Sequence, residues 1–235
     1  MTPLDILAFG AHADDVEIGM AGTLKKLSEE GKRTGICDLT RAELSSNGTV
    51  FVRQHEAQTA SDILSVESRF NLGFPDRGLS TSDDMIQEVV KLIRRTQPSA
   101  VFVPYYEDRH PDHGHAATLV EEAVFSAGIR KYHPELGSAH KVNQVYYYFI
   151  NGFHKPDFTI NISNQIEAKR QALEAYESQF TLTTGSVSTP LTNGYVDKVI
   201  YREYLYGKES GVDYAEGFIA KNLICMEELP LGERK

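Results

Sequence analysis

The chain predicts an α/β fold: a Rossmann-like, doubly wound, mostly parallel sheet of strand order 3-2-1-4-5 with a C-terminal extension. Three observations carry this expectation. Short apolar runs alternate with helical patterns from Leu4 to Ala127, as in β-α units whose sheet is covered on both faces. The composition is that of an ordinary globular protein, 41% hydrophobic and 24% charged over 235 residues, with chain enough to bury a large core without disulfides. Polar clusters follow the first and fourth apolar runs; in that strand order these two strands adjoin at the topological switch point, where ligands bind. A single domain is expected over 1–235, with the Rossmann-like core in 1–140 and its extension in 141–235.

Each element has a local reason. Leu4–Ala11 reads as a buried strand with Gly10 at its carboxyl end. Ala21, Leu24 and Leu27 share a helical face, and Gly31 is the expected C-cap. Thr34–Leu39 is the second strand, and a polar loop through Ser45-Ser46-Asn47-Gly48 leads to a helix over Arg53–Leu64. Glu67–Leu72 is the third strand, ahead of the loop Gly73–Gly78. Ile86, Val89, Val90 and Ile93 fall at i, i+3, i+4 and i+7, an amphipathic helix. Pro98 stops it, Ala100–Val103 is the fourth strand, and Val120, Ala123, Val124 and Ala127 mark the next helix. Beyond residue 140 the pattern predicts strands over Val142–Ile150 and Phe158–Ile162 and a helix over Gln165–Phe180. A loop over Thr181–Asn193 and a late strand over Tyr195–Leu205 follow.

Charge and cysteine usage narrow the function. Lys and Arg total 24 against 33 Asp and Glu, a net charge of -9, which repels phosphate backbones and argues against a nucleic-acid partner. Cys37 and Cys225 form no disulfide framework or zinc-ribbon spacing. The apolar run Ile6–Ala11 lacks a basic flank and is too short to export or span. A cytoplasmic protein without a membrane partner is expected.

The polar clusters point to a metal. Gly10-Ala11-His12-Ala13-Asp14-Asp15 stands where a dinucleotide fold would carry GxGxxG, and its carboxylates would repel phosphate. The second cluster, Tyr105–His115, packs three of the eight histidines into 110–115. One His and one Asp from the first turn, with one His from the second, make three N/O donors with a vacant fourth position. That is the arrangement of a catalytic zinc site, and iron(II), cobalt(II) or manganese(II) suits similar donors. Neighbouring side chains on an extended backbone point to opposite sides, so one of Asp14 and Asp15 can face the metal and the other the water. Taken singly, each residue has a plainer role as a surface His or a helix N-cap. Their coincidence at adjoining strand ends favours one site.

The motifs match a known family. His12-Ala13-Asp14-Asp15, with Gly19 and Thr23, resembles the AHPDD signature of the LmbE-like, or PIG-L, zinc de-N-acetylases, and His110-Pro111-Asp112-His113 resembles their HxDH. Arg53-Gln54-His55-Glu56, Gly73-Phe74-Pro75-Asp76 and Tyr176-Glu177-Ser178-Gln179 resemble further elements. Ala13 departs from the usual Pro, whose ring would stiffen the turn. The resemblance implies hydrolysis of the acetamide of an N-acetylated amino sugar, releasing acetate and the free amine. It also implies one zinc ion per chain on His12, Asp15 and His113.

Within that resemblance Asp14 is the general base, and His110 stabilises the oxyanion or assists the leaving amine. Asp112 is expected to orient His110. Arg53, a cation near a helix start where the dipole disfavours it, is expected to grip an oxyanion, a sugar hydroxyl or a substrate carboxylate. Tyr195 is the expected second oxyanion donor, and His115 is expected to point away. The chain looks most similar to Bacillus-type enzymes of bacillithiol biosynthesis, which deacetylate N-acetylglucosaminyl malate, and a homo-oligomer (trimer or hexamer) is implied. Two readings compete. One is a two-metal phosphoesterase, told apart by metal stoichiometry. The other is a non-catalytic sugar- or nucleotide-binding module, which leaves a complete set of ligands and base unexplained.

Overall fold

The computed structural model describes residues 2–226; residue 1 and residues 227–235, the ends of the expected 1–235 domain, lie outside the described residues. The strands are β1 (Ile6–Gly10), β2 (Thr34–Thr40), β3 (Ser68–Phe74), β4 (Ala100–Pro104), β5 (Gln144–Tyr148), β6 (Phe158–Asn161) and β7 (Ala215–Ala220). The α-helices are α1 (Asp15–Glu29), α2 (Val50–Leu64), α3 (Asp83–Thr96), α4 (Pro111–Ala127), α5 (Ile166–Glu174), α6 (Glu177–Phe180) and α7 (Tyr195–Ser210). All seven strands form one sheet of order β3-β2-β1-β4-β5-β7-β6. The expected 3-2-1-4-5 order is present and parallel throughout. The extension adds β7 and β6 antiparallel beyond it.

Alternation along β1 divides the core. Leu7 and Phe9 face the layer of α3 and α4, packing with Val89, Val90, Ile93 and Val120. Ile6 and Ala8 face α1, α2 and the C-terminal helices, packing with Leu24, Ile36, Tyr148 and Leu173. All five β1 residues are buried, which is why the strand reads as a continuous apolar run. In the register Ile6↔Ala100 to Ala8↔Phe102, the carboxyl ends of β1 and β4 lie side by side. The turn holding His12 to Asp15 therefore meets the loop holding Asp108 to His113. Among the described residues, no helix is long and apolar enough to cross a membrane.

Two expectations after residue 160 are corrected, and one strand is added. Tyr195–Leu205 is not a strand but the start of α7. The buried positions Val199, Ile200, Glu203, Tyr206 and Gly207 follow a helical period. The helix over Gln165–Phe180 is two, parted at Ala175 and Tyr176. β7, on which no expectation fell, carries Glu216 and Gly217, both poor strand formers.

Candidate metal centre and active site

The first turn is built tightly. A Cβ at Gly10 would stand 3.0 Å from the His12 carbonyl oxygen and 3.1 Å from Asp15 Cβ, so the strand must end in glycine for the chain to double back. Asp14 then adopts φ 113°, a region L-residues rarely enter and one found at functional sites. This left-handed step, not an extended backbone, sends the Asp14 and Asp15 side chains apart. Asp14 is the N-cap of α1 and Asp15 its first residue. In the second loop, His110 caps α4 and Pro111 opens it. His113 follows one turn later, its ring stacked on that of His110 at 5.0 Å.

Asp15 lies between two histidines. Its Oδ2 is 3.6 Å from His12 Nδ1, and its Oδ1 is 3.2 Å from His113 Nε2. Each ring turns its other nitrogen to a carboxylate. His113 Nδ1 is 2.9 Å from Asp108, and His12 Nε2 is 3.2 Å from Asp76 and 3.5 Å from Asp112. Around a four-coordinate ion with bonds of about 2.0–2.1 Å, donor atoms sit roughly 3.3 Å apart. Carboxylates behind ligating imidazoles are the usual outer support. Two sets of three side chains bring donors within 4.8 Å of one another: His12, His110 and His113, and His12, Asp76 and Asp112. Either set suits a divalent transition metal; Asp15, the third ligand the resemblance implies, belongs to neither set but lies within 3.6 Å of both His12 and His113.

The electrostatics show a site that wants positive charge. Burial lowers the His113 pKa, yet Asp15 and Asp108 outweigh it and raise the ring to about 9. His12 is likewise pushed up, against its burial, by Asp112, Asp15 and Asp76. Burial opposes ionisation of Asp15, but His113 and His12 hold its carboxyl well below the usual range. Asp108, also opposed by burial, is held at about 2 by His113, the His110 amide and Asn151. Asp14 goes the other way. Burial lifts its carboxyl to about 7, with Arg53 the main opposing charge. Adjacent aspartates thus have separated acidities, the pattern that divides a ligand from a base.

His12, Asp14, Asp15 and His113 face a cavity of about 300 Å³, the low end for small-molecule sites. Its walls come from the two turns, the Ser45–Asn47 loop, Asn151, Tyr195 and the Thr189–Leu191 segment.

Comparison with known proteins agrees with the motifs. The family model for PIG-L, GlcNAc-PI de-N-acetylase, matches residues 7–124, half of the chain. The chain belongs to the PIG-L family. It is 32% identical over 227 residues to the diacetylchitobiose deacetylase of Thermococcus kodakarensis, covering 90% of this chain and 81% of that protein. The conserved protein TT1542 of Thermus thermophilus superposes with a TM-score of 0.88 at 37% identity, covering 98% of this chain and 100% of that one. The N,N'-diacetylchitobiose deacetylase of Pyrococcus horikoshii shares the fold with a TM-score of 0.80 at 24% identity, covering 92% and 82%. The Thermococcus kodakarensis relative supports the de-N-acetylase family, and none of the three is described as a bacillithiol enzyme.

In this PIG-L protein two of the quoted motifs clasp each other. Glu56 accepts hydrogen bonds from the Ser178 amide and hydroxyl, both at 2.7 Å, and Gln179 Nε2 donates to the Asn47 carbonyl at 2.8 Å. They hold the Ser45–Gly48 loop against the cavity. Arg53 lies in the fourth position of α2, not at its start, because Thr49 caps the helix. Arg53 is 3% exposed, and its guanidinium donates to the Ser45 hydroxyl at 2.6 Å, the Ala13 carbonyl and Asp14 Oδ2 at 3.1 Å.

The role expected of Asp112 is corrected. Its carboxylate turns from His110 to Arg77, accepting from the Arg77 amide at 2.9 Å and Nη1 at 2.8 Å, and lies near His12. The Asp112 backbone amide, 3.3 Å from His110 Nδ1, is what meets that ring. The Tyr195 hydroxyl donates to the Ile150 carbonyl at 3.0 Å, with Asn151 Oδ1 at 3.1 Å. His115 is half exposed. Asp76, Asp108 and Asn151 carried no expected role. Asp108 accepts from the His110 and Asn151 amides and the Asn151 side chain while facing His113. Its signal was present: a carboxylate five residues before a proposed ligand, in a loop already rich in histidine.

Proposed function

We propose that this protein is a zinc-dependent hydrolase of the acetamide of an N-acetylglucosaminyl substrate, using one ion per chain on His12, Asp15 and His113. The observation that carries the ligand choice is the backing of the rings. His12 and His113 each have a carboxylate behind the nitrogen turned away from Asp15, so a bare nitrogen is left for a metal. His110 differs: its Nδ1 accepts the Asp112 amide, which places the proton of the neutral ring on Nε2. Burial, with His12 and His113 nearby, lowers its pKa and keeps it neutral, a donor rather than a ligand. The second donor set gives little room for a second ion, since it shares His12 and its Asp112 is paired with Arg77. That argues against the phosphoesterase reading.

A cation held there would supply Lewis acidity, polarising the acetamide carbonyl and acidifying a water. Asp14 accepts the proton of the attacking water. With its carboxyl at about 7, it is matched to both taking a proton and returning it to the departing amine. Arg53 fixes the Asp14 carboxylate and favours its ionised form. His110 donates from Nε2 to the oxygen on which negative charge develops. Tyr195 joins as a second donor by exchanging its bond to Ile150 for one to substrate.

The narrower substrate we propose is N-acetylglucosaminyl malate, or another glucosaminide with an anionic aglycone. Arg109 supports this: it lines the cavity, is exposed, and makes no ion pair among the described residues. Arg53, committed to Asp14, is less suited to that task. Acetate release should be compared across N-acetylglucosaminides with anionic and neutral aglycones, in wild type and Arg109→Ala. We expect kcat/KM to favour the anionic substrate, and Arg109→Ala to erase the preference by raising KM for that substrate alone. Equal kcat/KM for both substrates in wild type would refute the anionic-aglycone reading.

A further inference from the structure

The core holds a charge cluster that the chemistry above does not use. Lys169 on α5, Glu203 on α7 and Glu216 on β7 are 0% exposed, and Arg202 on α7 is 7% exposed. Lys169 Nζ stands 2.6 Å from Glu216 and 2.8 Å from Glu203, and Arg202 Nη2 stands 2.7 Å from Glu203. Stability alone does not account for it, because replacing such pairs with packed apolar side chains is often neutral or stabilising.

Its partners on α1 indicate its use. That helix is broken at Met20, where the backbone leaves helical geometry (φ -151°, ψ 23°). In an unbroken helix the amides of Gly22 and Thr23 would donate to the carbonyls of Ile18 and Gly19. Here they donate to the two oxygens of Glu216, at 2.9 and 2.6 Å. The Ile18 carbonyl accepts instead from Lys169 Nζ at 2.9 Å and Arg202 Nη2 at 2.8 Å. Arg202 Nη1 also donates to the carbonyls of Phe149 and Ile150, both at 3.0 Å. One guanidinium therefore ties together Ile18 and Ile150, which line the cavity from different elements.

We infer that Lys169, Arg202, Glu203 and Glu216 form a clamp in which the C-terminal extension holds the break in α1 and so positions Asp14 and Asp15. The segment ahead of the break is a little over one turn long, too short to keep a direction of its own. Its far end is anchored by two cations on the Ile18 carbonyl, and its near end carries Asp15 and the strained Asp14. Glu216 caps the segment beyond the break. These are positioning residues, and their effect is read at the metal. The inference rests on the metal-hydrolase reading of the site.

The test is the charge-balanced double variant Lys169→Met/Glu216→Gln, compared with wild type after loading with cobalt(II). Circular dichroism and thermal unfolding report the fold. The cobalt absorption spectrum, cobalt affinity and the separate kcat and KM for acetate release report the position of the turn. We expect a folded protein with an altered cobalt spectrum. Its cobalt affinity should be about 10–100-fold weaker, the loss typical when support behind ligands is removed, with lower kcat at saturating metal and little change in KM. A folded variant with the wild-type cobalt spectrum, affinity and kcat overturns the clamp, whatever its melting temperature. If the double variant does not fold, Glu216→Gln alone, which keeps an acceptor oxygen for Thr23, is judged by the same readings. A wild-type protein that binds cobalt but releases no acetate refutes the hydrolase reading, and the variant's cobalt spectrum still decides the clamp.

Discussion

Replacing Arg53 with methionine removes its charge while keeping much of its bulk. Arg53 Nη2 is 3.1 Å from Asp14 Oδ2, with both side chains buried. Burial lifts the Asp14 carboxyl to about 7, and Arg53 is the largest force pulling the other way. An opposite charge at this range typically lowers a carboxyl by about 1–3 units. Its loss should therefore raise the Asp14 pKa by a similar amount. The base must be ionised to act, so kcat/KM rises with pH through the Asp14 pKa. A bound cation also lowers the Asp14 pKa, so the acidic limb is compared between the two proteins: in Arg53→Met it should lie about 1–3 units above that of wild type, with much of the plateau rate recovered at high pH. The assay is acetate release by metal-loaded protein across pH. An acidic limb that does not move, with KM raised only for an anionic substrate, would instead return Arg53 to gripping substrate.

Three further outcomes follow from the same geometry. Asp14→Asn should keep its metal and lose about 10²–10⁴-fold in kcat, measured by turnover beside metal analysis; a metal-poor variant would contradict the division of roles. Asp15→Asn should lose metal whereas His110→Asn keeps it and loses turnover, and Asp108→Asn should weaken metal affinity about 10–100-fold by freeing His113. Metal-free protein should lose stability as pH rises. The His113 pKa is raised to about 9 in the fold, so its contribution is full below about 6.5, its unfolded value, and disappears as pH passes about 9. Burial of Asp14, raised to about 7, acts in the same direction at lower pH. Thermal midpoints should fall across this window without metal and hold steadier with it; a midpoint that rises would contradict the assignment.

What was legible in the chain was what is written locally. The β1 run, the amphipathic α3 and the two polar turns state their structure in their own spacing, and strand order then joins turns ninety-odd residues apart in sequence. The orientation of Asp112 was not legible, because a residue at the start of α4 can face either His110 or the β3–α3 loop, and only packing brings Arg77 to it. The same holds for Arg53, whose partner Asp14 lies on another element. Asp14 and Asp15 do diverge, yet through a left-handed backbone step that the residue types do not announce. The α1 break was hidden most deeply, since every group that satisfies it comes from beyond residue 160.

Removal and return of the metal decides whether the site hydrolyses an acetamide with one bound ion. Acetate release from an N-acetylglucosaminide should be measured after exhaustive chelation, then during titration with zinc. We expect no turnover in the stripped protein and full recovery at one zinc per chain. Turnover that survives stripping, or recovery only at two ions per chain, would contradict it.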